Sequence, residues 1–534
     1  MTIGVSSAAP AYSLAAVIGV LAGAVGVHAP ATILLAFIPM VCIAAAYSAF
    51  DRVAPDAGSV FVWLWRSVGP RTGWITGWGL IVANVVVMGS LGAIAGRYTF
   101  LLVGWSAGTR SLLAITLAGS AWIGMVTVIC YLGIRASART QRTLLGLELA
   151  ALVCFSIVAL VRVLSGDAGP HAVTPALGWF SPVVGPHGQL AVGVLAALFI
   201  FWGWDTTATV AEETRDAART SGRAALLSTA VLLAVFLLVV TAAQAFDGPG
   251  QLAAHPTDAL SKLAGSVLGS TLSKVVVLSV LTSSIASAQT SVLPAARTAM
   301  AMARAGAAPR AFGRIHPSHR TPDLATLVVG GAGVILFVAL SVISKAVLSD
   351  SLGALGLVIA FYYGITGFAC PLYFRHQLRR SVRDLLTLGV IPLVGAGGLT
   401  WVFVRTAIDL SHPASSASHT AVLGIGLPLV LACAFLIAGL GLLALTTWRS
   451  PCFPRPADDH GEGTPESRSR ATGPRRLRTP VAPIRTDKGE LGGASESISP
   501  ATAGSGSSRA AALSPIGRST AGNDSGHTEG DPQQ

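Results

Sequence analysis

Charge is what this sequence has least of. Asp, Glu, Lys and Arg together supply 11% of its 534 residues, whereas a soluble domain carries about a quarter, so most of the chain is not built to meet water. Cysteine patterning is missing too. Cys42, Cys130, Cys154, Cys370 and Cys433 stand singly within apolar stretches, with no Cys-x-x-Cys spacing. That excludes a disulfide or zinc framework and leaves them as small packing or lipid-facing residues. No Gly-x-x-x-x-Gly-Lys-Ser/Thr loop occurs, so the chain does not itself consume ATP. His, Asp and Cys are nowhere clustered at catalytic spacing, which argues against a membrane-embedded enzyme, and His28, His171 and His187 are too dispersed for a metal site. No cofactor is expected. Nothing basic precedes the first apolar run, so no cleavable signal peptide is expected either.

What is abundant is apolar, 52% of the residues, and it is concentrated. Stretches of about 18 to 25 residues almost free of charge recur up to Trp448, each long enough to cross a bilayer as a helix. The expected crossings are Ile3 to Val27, Pro30 to Phe50, Gly73 to Val103, Leu112 to Ile134, Thr143 to Leu164 and Leu190 to Ala211. The second six are Ala224 to Phe246, Leu268 to Leu293, Leu324 to Ile343, Leu352 to Phe374, Leu385 to Val404 and Ala421 to Thr447. About twelve such segments define an all-α integral membrane domain over residues 1–449.

The formal charge of +12 would point a soluble protein toward nucleic acid, but its distribution gives another reason and no nucleic-acid partner is expected. Arginines collect in alternate loops: Arg52, Arg66 and Arg71; Arg135, Arg139 and Arg142; Arg215, Arg219 and Arg223; Arg297, Arg304, Arg310, Arg314 and Arg320; Arg375, Arg379, Arg380 and Arg383. The opposite loops hold isolated cations such as Arg110, Lys262 and Lys345. This bias places both termini in the cytoplasm and the chain in the cell membrane. From Ser450 to Gln534 the sequence turns rich in Ser, Gly, Pro, Thr and Arg and reads as a disordered cytoplasmic tail. Its patch of Arg468, Arg470, Arg475, Arg476 and Arg478 is either solvated or in touch with anionic lipid.

Two segments break the rules of a simple membrane helix. Ile3-Gly4-Val5-Ser6-Ser7-Ala8-Ala9-Pro10-Ala11-Tyr12 puts small and hydroxyl residues ahead of a proline that lacks a donor and clashes with the preceding turn. Phe201-Trp202-Gly203-Trp204-Asp205 puts a helix-weakening glycine between two tryptophans, beside a carboxylate at membrane depth. An unwound stretch there is tolerated where it faces a cavity. It offers N–H groups at a half-helix start and C=O groups at a half-helix end, complementary to the carboxylate and ammonium of an amino acid. The bland alternative is that small residues merely let helices pack closely. The two segments fall at matching positions of two five-helix halves, the sequence pointer to a transport site.

At this point the chain resembles a family. Pro55-Asp56-Ala57-Gly58, Phe61, Gly69-Pro70 and Gly73-Trp74 look like the first inner loop of amino acid–polyamine–organocation permeases. Phe201 to Asp205 running on to Ala211-Glu212-Glu213-Thr214 is similar to their sixth helix and the acidic motif below it. Ala295-Ala296-Arg297, Ala303-Arg304-Ala305-Gly306, Pro309 and Thr321-Pro322 resemble the loop after their eighth helix. The resemblance covers residues 4–447. It implies a leucine-transporter-like inverted five-plus-five fold with two further helices, helices 1 and 6 interrupted. It implies that Ser6, Ser7, Ala8 and Ala9 give backbone donors to a substrate carboxylate, that Phe201, Trp202 and Gly203 give carbonyls to its amine, and that an aromatic such as Trp202 or Trp204 closes over it near Asp205. It also implies a longer half-helix ahead of the first break; here about five residues, roughly 8 Å of helix, precede Ser6.

Glu148, in Leu144-Leu145-Gly146-Leu147-Glu148-Leu149, is the sharpest single residue, costly in a membrane helix unless it faces the bundle interior. Where some proton-coupled relatives carry a lysine, this chain has an acid, so the lysine mechanism does not transfer. Glu148 reads either as a proton-exchanging group or as a carboxylate paired with Arg139 or Arg142. Ser283 and Ser284 read as helix-packing hydroxyls rather than a sodium site, because no acidic partner for them is evident. Asn84 reads equally as cavity-lining or as making an interhelical bond, and Glu212 and Glu213 as inner-face ion-pair partners. The expectation is a secondary active transporter for an amino acid or organic amine, working by alternating access with a proton or by exchange, with lipid as its other partner. A transporter-like sensor signalling through the tail is the second reading.

Overall fold

The computed structural model describes residues 2–133, 138–182, 190–209, 217–256, 258–344, 346–413 and 420–449. The tail from Ser450, the Ala211-Glu212-Glu213-Thr214 motif, Arg135 and Arg215, and the side chains of Arg139 and Arg219, lie outside the described set. The described chain is helical almost throughout. In order it forms α1 (Thr2–Ala8), α2 (Pro10–Val25), α3 (Ala29–Val53), α4 (Val60–Ser67), α5 (Pro70–Val103), α6 (Ser106–Arg110), α7 (Leu112–Tyr131), α8 (Ala138–Leu164), α9 (Leu190–Phe201) and α10 (Thr206–Thr209). There follow α11 (Ala217–Ala254), α12 (Ala259–Arg304), α13 (Asp323–Ile343), α14 (Val347–Tyr373), α15 (Val382–Asp384), a π-helical turn over Leu385–Val390, α16 (Ile391–Leu410) and α17 (Leu427–Arg449).

Among the described residues, eleven helical stretches are long and apolar enough to cross a membrane. The first, Thr2–Val53, has 52 residues, about 78 Å of helix against a hydrocarbon core of about 30 Å. It is cut at Gly26, where φ is 57° and a 3-10 turn, Gly26–His28, intervenes. It is therefore long enough for two crossings. α11 bends at Gly248 (φ 71°) before Pro249, and α12 at Gly269 (φ 80°), so both carry short extra helical arms beyond their crossings.

The bundle is layered from inside out. In α5 and in the α9–α10 crossing, 89% of the most apolar window is enclosed by protein; in α17 the figure is 11%. Outward-facing positions are apolar, as with Leu113, Ile335, Val342, Ile437 and Trp448. Hydroxyl, amide and carboxyl groups such as Ser90, Asn84, Glu148, Asp205, Ser283 and Asp350 are buried instead. Lipid offers no hydrogen bonds, so polar groups turn inward and the apolar surface faces the tails.

Two elements differ from the expectation. The final crossing begins at Leu427, not Ala421, because Ala421–Val422 and Ile425–Gly426 pair as a tiny hairpin. Leu423 (φ 56°) and Gly424 (φ 76°) both take the positive φ that such a turn requires. In the loop after α3, the apolar run around Phe61 folds as α4, with Phe61, Trp63, Leu64 and Trp65 all buried; the Trp63 indole donates to Ala54 O at 2.8 Å.

Candidate functional site

The first break lies at Ala9, whose backbone is left-handed (φ 46°, ψ 71°). Pro10 causes it: its ring excludes the helical region for the residue before it, and it starts α2 where its missing N–H costs nothing. The peptide groups this frees are taken up inside the protein. Ala9 N–H donates to Val5 O at 3.1 Å. Ala8 O accepts from the Ser13 hydroxyl at 2.6 Å, and Ser7 O from that of Ser287 at 3.3 Å. At the start of α2, Ala11 N–H donates to Glu148 Oε1 at 2.8 Å and Tyr12 N–H to Ser283 Oγ at 3.4 Å. Ser283 Oγ in turn donates to the same Glu148 oxygen at 2.7 Å. A carboxylate from α8 and a hydroxyl from α12 thus cap the half-helix, satisfying donors that would otherwise be orphaned.

The second break separates α9 from α10 across Trp202, Gly203, Trp204 and Asp205. Gly203 takes φ 109°, a conformation other residues rarely adopt. The chain restarts with Thr206 N–H on Gly203 O at 3.2 Å and Ala208 N–H on Asp205 O at 2.9 Å. Among the described residues, the carbonyls of Phe201 and Trp202 accept no hydrogen bond. One side chain of α14 pins the unwound turn. Tyr362 OH accepts from the Trp202 indole at 2.6 Å and donates to Asp205 Oδ2 at 3.1 Å. Trp204 is fully buried; its ring lies 4.9 Å from that of Tyr47 and 5.5 Å from that of Tyr363, and its indole N–H has no partner among the described residues.

The two breaks touch. A Cβ at Gly203 would sit 2.9 Å from the carbonyl carbon and oxygen of Ser7 and 3.0 Å from Ala8 N, so this glycine lets one unwound backbone lie directly on the other. Ser7 Oγ and Thr206 Oγ1 share a hydrogen bond of 2.8 Å across the junction. Tyr12 and Phe199 meet edge-to-face at 6.0 Å nearby, and the Tyr12 hydroxyl bonds Ser90 Oγ at 2.6 Å.

The residues singled out from the sequence fall into two groups. Ser7, Ala8, Ala9, Phe201, Trp202, Gly203, Trp204 and Asp205 are buried at the junction, with Ser6 half-buried in α1 beside them. Glu148 joins them through Ala11 and Ser283. Asn84 is buried in α5, and its amide nitrogen donates to Leu80 O of its own helix at 2.9 Å. Ser284 likewise bonds back to Val280 O at 2.8 Å. Sequence reasoning missed Tyr362, Thr206, Ser287 and the pairing of Ser283 with Glu148. The last two residues lie 135 positions apart, so adjacency could not be read; Tyr362-Tyr363 in mid-crossing was a visible signal, since buried tyrosine hydroxyls usually need partners.

The many-helix bundle with two apposed interrupted helices has the leucine-transporter-like fold. MhsT, solved in complex with L-phenylalanine, shares the fold with a TM-score of 0.51 at 15% identity, covering 76% of this chain and 98% of that one. Residues 1–413 match the amino acid permease family, and the chain belongs to it. Over 379 residues it is 30% identical to an uncharacterized transporter of Mycobacterium tuberculosis, Rv1999c, across 70% of this chain and 76% of the other. It is 27% identical to the branched-chain amino acid permease BcaP of Bacillus subtilis, across 63% and 73%. The protein is a multi-pass membrane transporter of amino acids or amines, of the amino acid–polyamine–organocation superfamily.

Proposed function

We propose that the chain is a secondary active transporter in the cytoplasmic membrane, moving an amino acid or related organic amine by alternating access around the junction of the two breaks. The observation that supports this most is the seating of Gly203 on the Ser7–Ala8 peptide. Backbone-to-backbone contact at membrane depth lets both half-helices shift together when a ligand enters. In this reading Phe201, Trp202 and Gly203 present carbonyls to the ligand's ammonium beside Asp205, while Ser6, Ser7, Ala8 and Ala9 form the opposing wall and Trp202 or Trp204 closes over it. Both termini lie in the cytoplasm, the residues from Ser450 forming a cytoplasmic tail.

Glu148 exchanges the coupling proton. Its carboxylate links α8, α12 and the start of α2, so gaining or losing a proton there alters the grip on the first break, which is how a proton gradient would drive the cycle. The test is uptake of a labelled panel of amino acids and amines into proteoliposomes, with and without a pH gradient. Transport of at least one of them, accumulated only with the gradient, is expected; absence of transport across the panel contradicts the carrier reading, and gradient-independent accumulation contradicts proton coupling.

A further inference from the structure

We infer that Glu148 is a specificity-determining residue: a resident carboxylate that holds the donors at the start of α2 and so favours an organic amine without a carboxylate over the amino acid of the same side chain. The inference rests on the preceding reading of the junction as the transport site. A half-helix start can offer a ligand anion only its first few N–H groups. Here Pro10 has none, Ala11 N–H is held by Glu148 at 2.8 Å, Tyr12 N–H faces Ser283 at 3.4 Å, and Ser13 N–H donates to Ala9 O at 2.9 Å. Ser283 fixes the same Glu148 oxygen from a second helix. A ligand carboxylate would have to displace this one and then remain beside it, a like-charge pair in a poorly solvated site.

The second break carries the same sign. Asp205 is buried, and the hydroxyl of Tyr362, itself neutral, is among its donors at 3.1 Å. The ion pairs Arg97–Asp258, Arg314–Asp323 and Arg405–Asp409 involve neither Glu148 nor Asp205. Two buried carboxylates flanking one junction are costly without an opposite charge. An ammonium ligand brings that charge; a zwitterion brings a further anion with it.

The test uses matched pairs, each an amino acid and the amine left when its carboxylate is removed: leucine and isoamylamine, tyrosine and tyramine, lysine and cadaverine. Counterflow into proteoliposomes holding the full chain needs no gradient, so loss of proton coupling does not obscure it. The wild type should exchange the amine of at least one pair at least about ten-fold faster than its amino acid. Glu148→Gln should shrink that ratio about ten-fold, and Ser283→Ala, which loosens Glu148 without removing it, should shift it less but in the same direction. Preference for the amino acid in every transported pair overturns the inference while leaving the carrier reading intact. A ratio unmoved in both variants overturns it as well. Failure to exchange any compound sinks the carrier reading, and the inference falls with it.

Discussion

At the first break the freed peptide groups that matter are N–H donors, and Glu148 and Ser283, from two other helices, occupy them. At the second they are carbonyls, and those of Phe201 and Trp202 stay without a hydrogen bond among the described residues while Tyr362 holds only the side chains around them. One half of the junction is already satisfied and the other half still has acceptors to offer. A ligand that supplies donors fits that asymmetry better than one that supplies acceptors.

The comparison is broken most severely at its contact point. Gly203→Val places a branched side chain at a positive φ and against the Ser7–Ala8 peptide, where even a Cβ has no room. Strain of this kind costs about 1–3 kcal/mol before any clash is counted, and initial uptake rates should fall below detection even where the protein reaches the membrane. Next in size is Glu148→Gln, which should abolish gradient-driven accumulation while counterflow persists; unchanged accumulation would remove Glu148 from the coupling step. Tyr362→Phe removes one hydroxyl that serves both Trp202 and Asp205. It should cost about 1–2 kcal/mol, seen as roughly a 5- to 30-fold loss of apparent affinity, without affecting coupling. The smallest effect belongs to truncation after Ser450: a carrier keeps its uptake, whereas a protein that signals through the tail loses an output.

Much of the fold was legible because lipid enforces it. Helical apolar runs of crossing length follow from the absence of hydrogen-bond partners in hydrocarbon, and a proline just after Ala9 marks a break because it disfavours helix in the residue before it. The site was legible only along the chain. Gly203 and Pro10 announce interruptions locally, but the bond from Ser7 to Thr206 joins residues 199 positions apart, and that from Ala11 to Glu148 joins residues 137 apart. Neither spacing nor periodicity encodes such pairs. Ser283 shows the consequence: it reads as a packing hydroxyl while its acidic partner sits three crossings away in sequence.

The most direct test is an experimental density map of the full-length protein in lipid with a transported substrate bound. The account predicts ligand density between residues 7–9 and 201–205, with the chain non-helical at Ala9 and Gly203. Two uninterrupted helices turned toward lipid, with the ligand seated elsewhere, would contradict it.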